Sequence, residues 1–74
     1  MDDWRIKKTF ISIKEEYGEV NKISSQNLRK HYMNATLNMS KSSYYDFVER
    51  CEVLNFIKNI EGKFSEFNIT WSLL

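Results

Sequence analysis

The chain has 74 residues, enough for one small domain, and its net charge of +1 selects no class of partner. Its one cysteine excludes an internal disulfide and a cysteine-based zinc site, and no run approaches the roughly 18 apolar residues of a membrane span. Aromatic residues make up 15% of the chain, which offsets its small size because each buries a large area. There is no proline and there are only two glycines, so most of the chain is expected in regular elements with few sharp breaks. No signal peptide is recognisable, which makes the cytoplasm the expected compartment. The expectation is a single domain over residues 1–74.

In chain order, Asp2 and Asp3 precede a helical pattern, and acidic groups favour the positive end of a helix. Ile6, Phe10, Ile13 and Tyr17 recur at steps of four, three and four, so they share one face. Gly18 is the natural stop, which predicts a first helix over Asp3 to Tyr17. Glu19 to Ile23 is short and alternating, with Val20 and Ile23 available for a small strand. Ser24 and Ser25 offer caps for a second helix whose buried face carries Leu28 and Tyr32. Either that helix runs on to about Leu37 or a long turn fills the space before Ser40.

Ser40 is an N-cap for a third helix. Tyr44, Phe47, Val48, Cys51 and Leu54 form its apolar stripe, expected to pack on Ile13, Leu28 and Ile69. Asn55 tolerates the left-handed conformation at a helix end. Phe56 to Ile60 reads as a strand, Glu61-Gly62 as a turn, and Lys63 to Trp71 as a second strand with Phe67, Ile69 and Trp71 alternating inward. Phe64 is out of phase with Phe67, so either a bulge intervenes or Phe64 lies at the hairpin tip.

The stretch from Ser40 resembles the recognition helix of a winged helix-turn-helix domain. The resemblance rests on the Ser40 cap, the polar turn Lys41 to Ser43, and the stripe of Tyr44 with Phe47 and Cys51 with Leu54, followed by Asn55, Phe56 and Ile57. Phe67-Asn68-Ile69-Thr70 is similar to the aromatic-x-Leu-Thr of the family's last strand, so the likeness covers about Ile6 to Trp71. It implies an α+β fold of three helices with a C-terminal two- or three-stranded antiparallel wing. The extra length between the second and third helices is similar to the longer version found in winged helices of origin-recognition-type initiators.

The charge distribution bears on what such a domain would bind. From Val20 to Tyr45 there is no acid, while Lys22, Arg29, Lys30 and Lys41 supply positive charge. The acids gather before this segment and after it. In a winged helix this segment faces DNA, and a basic front is what attraction to phosphate needs. The resemblance therefore implies a double-stranded DNA interface of Lys22, Ser25, Gln26, Arg29, Lys30, Lys41, Ser42, Ser43 and Tyr45, with Lys58 and Lys63 on the wing. Asp46, Glu49 and Glu52 give the rest of the third helix a negative side, so only its N-terminal end is expected to read bases. A small transcriptional regulator is the leading context; the alternatives are a DNA-binding appendage of a replication initiator or helicase, a protein-docking winged helix, and an RNA-binding role.

Nothing in the chain reads as enzyme chemistry. There is no glycine-rich phosphate loop and no metal-ligand cluster, so no cofactor, metal or small-molecule substrate is expected. His31 is expected at the surface or half-buried, Cys51 as a buried structural thiol, and the carboxylate pairs Glu15-Glu16 and Glu49 with Glu52 as solvated helix faces. Trp4, Lys8, Ile11 and Glu15 form one row on the outer face of the first helix. A tryptophan and an isoleucine there make an apolar spot suited to a homodimer, unless Trp4 packs instead on the tail at Leu73 and Leu74.

Overall fold

The computed structural model describes residues 3–74, so Asp2 lies outside the described residues. Three helices, α1 (Asp3–Tyr17), α2 (Ser25–Thr36) and α3 (Lys41–Val53), combine with strands β1 (Lys22–Ser24), β2 (Ile57–Ile60) and β3 (Phe64–Phe67). The strands form one antiparallel sheet in the order β1-β3-β2, the α+β layout of a winged helix. A short 3-10 turn, Trp71–Leu73, follows.

α1 buries Ile6, Thr9, Phe10 and Ile13. The Thr9 hydroxyl is satisfied within the helix by the Arg5 carbonyl at 2.8 Å, so burying it leaves no orphan. Gly18 takes φ 79 and donates its N–H to the Lys14 carbonyl at 2.8 Å, ending the helix as expected. Tyr17 is a correction: it is 38% exposed rather than in the core. Because α1 stops at the next residue, its last turn overhangs the core, and the ring meets His31 edge-on at 5.2 Å instead.

α2 starts at its Ser24 cap, whose hydroxyl accepts from the Asn27 N–H, and extends to Thr36. The helix is therefore the longer of the two alternatives, and residues 37–40 alone connect it to α3. Leu37 closes α2 in the left-handed region, φ 56. Asn38 then organises the turn: its carbonyl oxygen accepts from the Ser40 N–H at 3.0 Å and its amide donates to the Ser43 hydroxyl at 2.9 Å. Ser40 caps α3. At the other end Asn55, φ 63, donates to the Glu52 carbonyl while the Phe56 N–H reaches the Cys51 carbonyl at 2.8 Å. That bond pair is the Schellman arrangement, and it turns the chain directly into β2.

Glu61 and Gly62 both have positive φ, and with Lys63 they make the hairpin loop. The β2–β3 register is continuous, so there is no bulge, and Phe64 sits on the outer sheet face beside the loop. β3 is shorter than expected. After Phe67 the Asn68 N–H bonds to the Phe56 carbonyl and its side chain to the Asn55 carbonyl, which holds the chain beyond the last sheet pair. Ile69 and Trp71 still turn inward, and the Trp71 indole donates to the Val20 carbonyl at 2.9 Å. The inward alternation thus continues without a strand.

The core joins all these elements. Ile13, Leu28, Phe47 and Cys51 have no exposed surface. Tyr32 stacks on Phe47 at 4.5 Å between ring centres, and Phe10 meets Phe67 edge-on at 5.5 Å. Leu54 and Ile69 are partly buried against this cluster. Among the described residues no helix is long and apolar enough to cross a membrane.

Candidate nucleic-acid interface

Tertiary hydrogen bonds fix the wing against the start of α2. The Ser25 N–H donates to the Lys63 carbonyl at 2.8 Å, and its hydroxyl to the Gly62 carbonyl at 3.0 Å. The Tyr44 hydroxyl donates to the Ser25 carbonyl at 3.3 Å, tying α3 to the same point. Asn59 accepts the Gly62 N–H at 3.0 Å and stiffens the loop. A groove of ≈ 400 Å³ results, bounded by Ser25, Gln26 and Arg29 of α2, Tyr45 and Val48 of α3, and Asn59 and Gly62 of the wing.

Among the described residues Arg29 is the one charged residue lining this groove, and no carboxylate lines it. Its guanidinium stands 6.0 Å from the centre of the Tyr44 ring, a contact that orients it while leaving its donors free. Burial pushes the Tyr44 phenol above its ordinary value, against the opposing pull of Arg29. Tyr45 is 61% exposed. Lys41 is exposed one helical turn before Tyr45 and shares its face. Lys63 is exposed at the wing loop, its backbone held by Ser25.

The remaining expected contacts lie elsewhere. Ser43 is turned inward, where its hydroxyl meets the Tyr32 hydroxyl, the Asn38 amide and, at 3.4 Å, Arg5. Ser42 is exposed on the other flank of α3, in a depression it shares with Arg5, Asp46 and Glu49. Lys30 is on the α1 side of α2, 3.8 Å from Glu16. Lys22 and Lys58 flank Glu66 of the central strand on the outer sheet face. Lys22 also lies over the Phe64 ring at 4.6 Å. Sequence reasoning missed Asn59 and Val48. Asn59 was legible as the strand residue two beyond Ile57, on the same sheet face and toward α3.

His31 is buried, 4% exposed, rather than at the surface or half-buried. Its Nδ1 is 2.9 Å from the Ser12 hydroxyl, and its Nε2 is 2.5 Å from a Glu16 carboxylate oxygen, off the line of a hydrogen bond. Both neighbours belong to α1, so the ring ties α2 to α1. Among the described residues no group of three His, Cys, Asp or Glu side chains is placed to hold a metal ion.

The row on α1 is divided in its surroundings. Lys8, Ile11 and Glu15 border a shallow depression with Asn34 and Ala35 of α2. Ile11 is half-buried there instead of projecting freely. Trp4 is 49% exposed and borders an apolar groove with Ile69, Leu73 and Leu74. The Lys8 ammonium lies 5.8 Å from the Trp4 ring centre, which joins the two ends of the row.

Compared with family models, curated proteins and solved structures, the chain matches none.

Proposed function

We propose that this protein binds double-stranded DNA, with the first turns of α3 in the major groove and the wing on the backbone. One observation carries the reading: the acid-free segment contributes Ser25, Gln26, Arg29 and Tyr45 to a single groove against the wing, and among the described residues no carboxylate lines it. Asp46 and Glu49 border a different depression, and Glu52 stands at the base of the wing. Phosphates approaching the groove meet Arg29 within it and Lys41 and Lys63 at its borders, while Glu61 of the wing loop is the acid that stands beside Lys63. Lys41 is suited to a guanine edge, and Gln26 to an adenine edge or a phosphate. Tyr45 offers its ring to a sugar or a thymine methyl. The connection over residues 37–40 is compact, which favours a small regulator over an initiator-type appendage. The reading includes association of two copies through the outer face of α1, which would supply two reading helices for two half-sites.

The test is a binding titration of the purified protein with labelled duplex, single strand and RNA. The expected order is duplex tightest, with affinity falling as salt rises. Protein that ignores duplex even at low salt would instead support a protein-docking winged helix.

A further inference from the structure

α1 is polarised along its length. Arg5, Lys7 and Lys8 lie in its first half, and Glu15 and Glu16 in its last turn, with Glu19 just beyond. Asp3 and Lys14 interrupt the pattern, but Asp3 stands 3.8 Å from Arg50 of α3 and the Lys14 ammonium donates to the Trp71 carbonyl at 3.1 Å. On the outer face one row carries four groups in order, Trp4, Lys8, Ile11 and Glu15, with the exposed Lys7 beside it as a further positive charge in the first half. Trp4 and Gly18 stand seven residues to either side of Ile11, while Lys8 precedes it by three and Glu15 follows by four. Such a row reads nearly the same from either end once charge is inverted, which is the symmetry that a two-fold axis requires.

We propose that two copies pair through α1 in antiparallel register, a reading that rests on the association of copies proposed above and specifies its geometry. The axis passes near Ile11, so Ile11 meets the partner's Ile11. Lys8 of each copy faces the partner's Glu15, giving two equivalent ion pairs. Trp4 covers the partner's Gly18, about 10 Å from the axis by helical rise. Gly18 has no side chain, and a Cβ built on it would find nothing within 4 Å, so the site is open to a flat ring. A parallel pairing would set Lys8 on Lys8 and Glu15 on Glu15, so the charges select the antiparallel arrangement. The groove bounded by Ser25, Arg29 and Tyr45 is formed by other elements and stays open in the pair.

Sedimentation equilibrium on the full chain and on Lys8→Glu and Glu15→Lys variants tests this. Both side chains are exposed, and circular dichroism on each variant checks that the fold is kept. Wild type is expected to dimerise, and either single reversal to weaken association roughly tenfold, since it turns two attractions into two repulsions. An equimolar mixture of the two single variants should recover wild-type association, because both cross pairs are then Lys–Glu. The double variant should recover it as well. A wild type that stays monomeric at high micromolar concentration overturns the association itself. A dimer that neither reversal weakens, or that the mixture fails to restore, overturns this register alone.

Discussion

Phe47 carries the most weight at the residue scale. It is fully buried, stacked on Tyr32 and within 6.3 Å of the Tyr44 ring centre. Phe47→Ala should cost on the order of 3–5 kcal/mol, comparable to the whole stability of so small a domain. Thermal melts should show a largely unfolded protein at 37 °C; a midpoint within a few degrees of wild type would mean the α3 phase is wrong. Cys51 makes a different prediction. Burial pushes its thiol up to about 12, with the Glu52 charge adding to the shift. The unfolded thiol ionises near 9.0, so the unfolded chain loses this proton first as pH rises. Stability is then fully present below about pH 9 and declines above it, with a slope approaching about 1.4 kcal/mol per pH unit until the folded thiol itself ionises. Tyr44 is shifted in the same direction and adds to the decline above pH 10.0. Denaturant melts from pH 8 to 11 measure this, and Cys51→Ala should flatten the curve. At neutral pH the native thiol should react with iodoacetamide only through unfolding.

Elements are delimited by particular residues, and where those residues have one meaning the sequence was readable. Gly18 and Ser40 are such residues, and the bounds of α1 and the start of α3 follow from them. Leu37 is not: nothing in its chemistry announces a left-handed helix cap, so the end of α2 stayed open between two alternatives. Such a conformation costs an L-residue about 1–2 kcal/mol. Leu37 is 85% exposed, so replacing it forfeits little packing. Leu37→Gly should therefore stabilise by roughly 0.5–1 kcal/mol after the entropy of the unfolded glycine is counted, raising the melting midpoint by a few degrees. A lower midpoint would mean the Leu37 side chain contributes more than its exposure implies. The end of β3 was illegible for another reason. Inward alternation of Phe67, Ile69 and Trp71 satisfies the strand pattern, but a strand also needs a neighbour, and opposite Asn68 the facing backbone is only just leaving the α3 cap at Asn55 and Phe56, so among the described residues nothing on that side pairs with Ile69. His31 was misplaced because its partners Ser12 and Glu16 are remote in sequence and adjacent only once α1 and α2 pack.

Across the whole molecule, the near-neutral total charge conceals an uneven distribution. The acid-free segment was visible in the sequence, but its division between faces was not, because helical phase alone did not say which side of α2 meets α1. Packing separates neighbours: Arg29 borders the groove beside Tyr44, whereas Lys30 lies beside Glu16 on the α1 side. The same separation removes Ser43 from the interface and leaves Lys41 on the Tyr45 face. This contrast gives the most direct measurement of the central proposal, the salt dependence of duplex affinity for wild type, Arg29→Ala and Lys30→Ala. Loss of one phosphate contact lowers the slope of log affinity against log salt by about one unit. Arg29→Ala should show that reduction with weaker binding, and Lys30→Ala should keep the wild-type slope. Equal slopes for all three proteins, or no salt-sensitive duplex binding by wild type, would contradict the account.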